Sequence, residues 1–190
     1  MSGLKISLGS GGVRFQGWTH VDADPQWQPD VTADLSQPLP FPDACADFLQ
    51  SEDFIGQLSI DQADAFFRDC HRVLRAGGVM RLLTPDLAQL VAMYQQRDFR
   101  LRDLWEREVG IPLRTRTLGE LVHKAITFAQ QQSFYDEETL RALLEPIGFV
   151  VKRVGYQQSD FVELQGLDQR SPDNAISLYL DCVKSPGPDH

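Results

Sequence analysis

The chain has 190 residues, 42% hydrophobic and 24% charged, with 27 acidic against 18 basic side chains and a net charge of −9. That length and balance suit one soluble globular domain with a sizeable core and exclude a disordered chain. No apolar run approaches the roughly 18 residues of a membrane-spanning helix, and the acidic balance disfavours phosphate backbones as partners, so neither a membrane nor a nucleic-acid partner is expected.

The acid is concentrated early, residues 1–64 holding ten acidic and two basic side chains, which reads as a solvated face. Cys45, Cys70 and Cys182 have neither metal-ligand nor C-x-x-C spacing, and their odd number leaves no complete disulfide framework. They are expected to be reduced and structural, with no metal site. The amino terminus lacks the basic and apolar regions of a signal peptide, so a cytoplasmic location is expected.

Leu4, Ile6 and Leu8 alternate with Lys5 and Ser7, the period-2 pattern of a strand, which breaks into Gly9-Ser10-Gly11-Gly12. Glycines allow a tight turn and a close ligand approach. Trp18 to Val21 then leads into Asp22-Ala23-Asp24-Pro25, a second strand stopped by acid and proline. A carboxylate at a strand's carboxyl end, beside a glycine turn, suits the two hydroxyls of a ribose. The stretch proposes a nucleoside-containing ligand, with Asp22 as ribose acid and Asp24 in its place if the strand runs two residues further.

Spacing decides between nucleosides. The dinucleotide fingerprint G-x-G-x-x-G needs glycine where Arg14 stands, and Asp22 comes sooner than its ribose acid should. No Gly-Lys-Ser/Thr follows to make a phosphate loop. The link from Gly12 to Gly17 is also too short for a full crossover helix, leaving at most one turn.

Further along, Asp30 to Asp34 reads as a short third strand, and Gln37 to Asp43, with three prolines, as an extended loop. Ala46 to Ser51 is a fourth strand, followed by Glu52-Asp53-Phe54-Ile55-Gly56-Gln57-Leu58. Ser59-x-x-Gln62 is a capping box opening a helix whose apolar stripe is Ala63, Phe66, Phe67, Cys70, Val73 and Leu74. Gly77-Gly78 is expected to end it, with His71 and Arg72 suiting the dipole of its last turn. Val79 to Leu83 is a buried fifth strand.

Several of these segments together resemble the class I S-adenosylmethionine-dependent methyltransferases, in particular a short bacterial branch of the type 11 kind. The residues are Leu8-Gly9-Ser10-Gly11, Gly17-Trp18-Thr19-His20-Val21-Asp22, Asp34-Leu35 to Leu39-Pro40-Phe41-Pro42-Asp43, Arg72-Val73-Leu74-Arg75-Ala76-Gly77-Gly78 and Thr84-Pro85-Asp86-Leu87. Their order and spacing match over roughly residues 4 to 90, abbreviated first link included. The resemblance implies an α/β three-layer Rossmann-like fold, with a mostly parallel seven-stranded sheet, an antiparallel last strand and an abbreviated first helix. It also implies S-adenosylmethionine as cofactor, contacted by Gly9, Ser10, Gly11, Asp22, Ala23, Asp34, Leu35 and Ser51, with Asp34 and Leu35 near the adenine. The acceptor it implies is a small molecule or a saccharide. Relatives often carry H-V-L-E-H-L after the fourth strand, where this chain has Asp53, Gly56 and Gln57 at the three polar positions. For an oxygen acceptor Asp53 or Glu52 is the candidate base, with loop or helix capping the plainer role for either. A non-catalytic protein of the same fold is the alternative, and a nucleotide-dependent oxidoreductase the more distant one.

Thr84 with Pro85 is expected to start the next helix, continued by Leu87, Leu90, Val91 and Tyr94. An insertion over about 95–133 carries two more helical patterns. The first is Leu101, Leu104, Trp105 and Val109; the second, after a Thr117-x-x-Glu120 capping box, is Leu118, Leu121, Val122, Ala125 and Ala129. It reads as a lid over the donor or a homo-oligomer surface within a single domain of residues 1–190. Asp136 should cap a helix through Leu140, Leu143 and Leu144, with Phe149 to Tyr156 and Ile176 to Val183 as sixth and seventh strands. Between them Gln157 to Asn174 is long for a hairpin loop and is expected to border the substrate opening.

Overall fold

The computed structural model describes residues 3–104, 106–107, 114–127, 131–172 and 176–185. Strands β1 (Leu4–Leu8), β2 (Thr19–Asp22), β3 (Val31–Thr32), β4 (Ala46–Glu52), β5 (Leu74–Pro85), β6 (Phe149–Arg153) and β7 (Ser177–Lys184) form one sheet in the order β3-β2-β1-β4-β5-β7-β6. Pairing is parallel from β3 through β5 and antiparallel on both sides of β7. The expected seven-stranded architecture is present. No helix joins β1 to β2, and the link is instead pinned by His20, whose Nε2 accepts from the Phe15 N–H at 2.8 Å while Nδ1 faces Asp30 Oδ2 at 3.0 Å.

On one face of the sheet Ile6, Leu8, Val21 and Leu49 pack with Phe66, Phe67 and Cys70 of α1 (Ile60–Val73) and with Leu140 and Leu144 of α5 (Glu137–Leu144). Both helices have the expected caps. Ser59 and Gln62 bond each other's backbone N–H groups, and Asp136 accepts from the Thr139 N–H at 2.8 Å. The opposite face is different. Trp18, Val79, Leu164 and Leu167 form a small apolar cluster there, with Phe15, Phe48 and Phe161 around it. Above it a polar row crosses the sheet by register, His20 beside Ser7, Ser7 beside Gln50, Gln50 beside Arg81 and Arg81 beside Asp181. Central strands of parallel sheets are normally apolar on both faces; Val79 to Leu83 of β5 is buried as expected, with Arg81 as its polar member on this face.

Three boundaries differ from expectation. Helix α1 stops at Val73, because Leu74 is already extended and pairs with Ala46. Gly77-Gly78 instead lies inside β5 where its register with β4 shifts, Gly77 at φ +71°. Thr84 and Pro85 are the last residues of β5, paired with Leu178 and Ser177. The cap of α2 (Leu87–Gln95) is Asp86, whose carboxylate accepts from the Ala88 and Gln89 N–H groups. Strand β6 ends at Arg153 rather than Tyr156, since the Gly155 and Gln158 carbonyls turn inward to accept from Arg81.

In the insertion, α3 (Arg100–Leu104) and α4 (Leu118–Thr127) are present, the latter with its Thr117 and Glu120 capping box. Leu118, Leu121 and Ala125 pack on Leu90 and Ile176. His123 is exposed. Trp105, Val109, Ala129 and the side chains of Leu101 and Leu104 lie outside the described residues. Among the described residues no helix is long and apolar enough to cross a membrane.

Candidate functional site

The carboxyl ends of β1, β2, β3 and β4 surround an open cavity of about 770 Å³, within the range of small-molecule sites. One wall is the glycine turn. Gly9 has φ +69°, and a side chain there would stand 2.8 Å from Phe54 Cβ, so only glycine lets the turn pack against the β4 loop. Gly11 has φ +50° and faces open space, and its N–H donates to Asp22 Oδ2 at 2.7 Å.

Asp22 ends β2 at the cavity floor. Its other oxygen accepts from the Asp24 N–H at 2.9 Å, so each carboxylate oxygen keeps lone-pair capacity for a ligand hydroxyl. Asp24 turns aside to cap the short helical turn Pro25–Trp27, which brings the Trp27 ring to the cavity edge. Arg14 donates to the Trp27 and Gln28 carbonyls and ties that turn to the glycine loop. Asp34 starts a local turn by accepting from the Ser36 N–H at 2.9 Å; hydrogen bonding from the Ser36 side chain, then from its backbone, holds the exposed Asp34 carboxyl below the usual range. Leu35 follows it into the wall.

Six of the eight residues named from sequence line this cavity: Gly9, Gly11, Asp22, Ala23, Asp34 and Leu35. Ser10 lies instead on a smaller chamber of about 230 Å³ on the polar face of the sheet, and its Oγ is buried without a hydrogen-bond partner. Ser51 is wholly buried beside Leu8 in the sheet and lines neither space.

The far wall is Glu52, Asp53, Phe54, Gln57 and Leu58 from the β4 loop, with Gln62 from α1. Gln132, at the end of the insertion, completes it and donates to the Gln57 carbonyl at 2.6 Å. Glu52 accepts from the Gln169 N–H at 3.1 Å and the Arg170 N–H at 2.9 Å. Burial pushes its carboxyl up to about 7, those two N–H groups opposing the shift and Asp53 adding to it. Asp53 is raised by burial too, against the pull of the Arg170 guanidinium with which it pairs. Of the Gln157–Asn174 segment, Gln169 and Arg170 line the smaller chamber, and no described residue of it lines the larger cavity. Asp168 from the same segment is buried against Arg81, which also holds Asp181 at 3.0 Å.

Sequence reasoning missed Trp27, Gln62, Gln132, Gln169 and Arg170. Trp27 had a faint local signal, an aromatic just beyond the acid-proline stop. Arg170 had none, because its partner is 117 residues away. Among the described residues no group of three metal-ligating side chains exists.

Residues 17–82, from the end of the β1–β2 link into β5, match the family model of a methyltransferase domain. The glycine turn precedes the matched stretch. No curated protein matches the chain in sequence. Among solved structures, a SAM dependent methyltransferase from Archaeoglobus fulgidus superposes with a TM-score of 0.61 at 13% identity, over 96% of this chain and 86% of that one. A SAM-dependent methyltransferase from Thermotoga maritima, described as a possible histamine N-methyltransferase, gives 0.57 at 17% identity over 97% and 84%. The magnesium protoporphyrin IX methyltransferase of Synechocystis, solved with bound SAH, gives 0.53 at 11% identity over 96% and 74%. The chain thus has the fold of the class I S-adenosylmethionine-dependent methyltransferases, and its residues 17–82 carry the methyltransferase-domain signature.

Proposed function

We propose that the protein binds S-adenosylmethionine in the larger cavity and transfers its methyl group to a small molecule or a saccharide. The observation that carries this reading is convergence: three separate strand ends deliver a glycine turn, a carboxylate and an Asp-Leu pair to one cavity. In this reading Gly9 and Gly11 let the ligand approach the backbone, Asp22 accepts from both ribose hydroxyls, and Leu35 packs on the adenine with Asp34 near its amino group. The SAH bound to the Synechocystis neighbour supports the same ligand class.

S-adenosylmethionine supplies a methyl already activated on a sulfonium, so transfer needs alignment more than added activation. The chain's contribution is positional. The β4 loop forms the wall from which an acceptor would approach, and Glu52 there can take a proton from a hydroxyl acceptor near neutral pH. The 95–133 insertion acts as lid or as homo-oligomer surface within a single domain. Free Cys45, Cys70 and Cys182 suit a reducing, cytoplasmic setting. A non-catalytic binding protein is the second reading. It is favoured by Asp53, whose carboxylate is engaged by Arg170, and by Gly56 and Gln57 at the other two altered positions; formation of S-adenosylhomocysteine from S-adenosylmethionine excludes it.

Thermal unfolding with and without S-adenosylmethionine and S-adenosylhomocysteine, in native protein and Asp22→Ala, tests the main reading. Ligand at a hundredfold over its dissociation constant stabilises by about 2.7 kcal/mol, a rise of several degrees for a domain this size. The shift is expected in native protein and lost in the variant. A cooperative native protein that shifts with neither ligand overturns the donor assignment.

A further inference from the structure

The larger cavity is lined by Asp22, Asp24, Asp34, Glu52 and Asp53 and by no basic side chain among the described residues. The 230 Å³ chamber beside it shares Gly9, Glu52 and Asp53 and adds a single cation, Arg170. Arg170 pairs with Asp53, so the two offset each other. Glu52 has no such partner among the described residues. Its carboxylate accepts from the Gln169 and Arg170 backbone N–H groups, and the charges of Asp53 and Asp168 act against its ionisation. A half-buried carboxylate with no cation beside it favours a positively charged ligand.

Two further observations point to a ligand in the chamber. Ser10 lines it, and the Ser10 Oγ is buried with no hydrogen-bond partner, although buried hydroxyls are normally satisfied. Gln50, also buried, accepts from Ser7 Oγ at 2.9 Å through Oε1, which leaves that oxygen a second lone pair. With Glu52 these make three acceptor oxygens, matching the three N–H donors of a primary ammonium. Val13 and Phe15 supply an apolar part of the lining, suited to a hydrocarbon body and, at the ring face, to a cation.

We propose that the chamber seats the methyl acceptor, and that the acceptor is a small primary amine whose ammonium is held by Glu52, Ser10 and Gln50. The proposal rests on the donor reading above and names the acceptor's class. Glu52 lines both spaces, so a nitrogen held against it stands at the wall shared with the donor's cavity. The ammonium passes one proton to the Glu52 carboxylate, and the freed lone pair forms the N–C bond to the methyl as the C–S bond breaks. The electrons of that bond stay on sulfur, giving neutral S-adenosylhomocysteine, and Glu52 returns its proton to water. Its carboxyl, raised by burial to about 7, is a better base for this than an ordinary carboxylate.

The test uses benzylamine, benzyl alcohol and benzoate, similar in size but positive, neutral and negative. Their affinities are measured by calorimetry on native protein and Glu52→Gln, each saturated with S-adenosylhomocysteine. Native protein is expected to bind benzylamine about tenfold or more tighter than benzyl alcohol, the size of a charge-assisted contact, and benzoate more weakly than either. Glu52→Gln removes that preference while benzyl alcohol binds as before, which also shows the variant to be folded. With S-adenosylmethionine in place of the product, mass spectrometry is expected to find a methyl on the benzylamine nitrogen. Equal native affinities for amine and alcohol, or an unchanged preference in Glu52→Gln, overturn the amine assignment and leave the donor reading standing. Benzylamine that binds free protein but is displaced by S-adenosylhomocysteine, or that binds and gains no methyl, overturns the acceptor role. Native protein that does not bind S-adenosylhomocysteine overturns the donor reading and the acceptor role with it. If Glu52→Gln does not fold, the native ratio of amine to alcohol decides.

Discussion

The nucleoside wall of the cavity, from Gly9 to Leu35, is held by hydrogen bonds between residues close in sequence. Gly11 reaches Asp22 across 11 positions, His20 reaches Asp30 across 10, and Ser36 reaches Asp34 across two. The opposite wall is held across the whole chain. Arg170 pairs with Asp53 over 117 positions, Arg81 with Asp168 over 87 and with Asp181 over 100. The first wall is made of turns that each short segment forms for itself. The second exists only once β4, β5 and β7 are adjacent, so its geometry depends on the sheet being complete.

That contrast makes unequal demands on stability. The largest effect is expected from Arg81→Met. It leaves Asp168 and Asp181, both almost wholly buried, facing each other without a cation, and breaking a buried charge pair in this way costs about 3–5 kcal/mol. Urea unfolding should show it, and a loss below about 1 kcal/mol would mean that water reaches the triad.

A smaller effect, with a pH signature, is expected at Glu52. Its folded carboxyl is raised from 4.5 to about 7, so the folded state holds the proton more tightly than the unfolded state. The associated stability is full below about pH 4.5, declines as pH rises through about 7, and is then lost. The groups facing it are Asp53 from the same strand end, Asp168 and Arg170 from the β6–β7 segment, and Tyr179 from β7. Stability of native protein relative to Glu52→Gln should therefore fall across that window, by on the order of 2 kcal/mol. Denaturation curves at pH 5, 6, 7 and 8 check this, and parallel curves for the two proteins would remove Glu52 as the source.

The smallest effect belongs to the local wall. Arg14→Ala removes surface hydrogen bonds from the glycine turn to Trp27 and Gln28, costing under about 1 kcal/mol. Its consequence should appear in ligand affinity rather than stability, since the Trp27 turn loses its tether to the glycine loop. A stability loss as large as that of Arg81→Met would erase the distinction between the two walls.

The same division governs how much was legible in advance. Residues 4–35 could be read as strand, turn and acid because each step is written in adjacent residues; Ala23, Asp34 and Leu35 came from the family resemblance, and six of the eight positions so named line the cavity. Ser51 was harder, since alternation along β4 places it inward rather than toward the opening. Gly77-Gly78 looked like a helix end on composition, yet pairing of Leu74 with Ala46 ended the helix first. Pro85 looked like a helix start, but Asp86 supplied the better cap once β5 had been drawn out alongside β7.

The sequence by itself determined strands β1 and β2, the glycine turn, Asp22 and the caps of α1, α4 and α5, because turns, capping and alternation are decided within a few residues by backbone sterics and local hydrogen bonds. The tertiary structure alone decided that Glu52 would be half-buried beneath Gln169 and Arg170, that Arg81 would join Asp168 to Asp181, and that the missing first helix would leave a charged chamber beside the cavity. Those contacts join segments more than eighty positions apart. Their partners can be paired only when the sheet has brought them together, and no local pattern in the chain records which cation will meet which carboxylate.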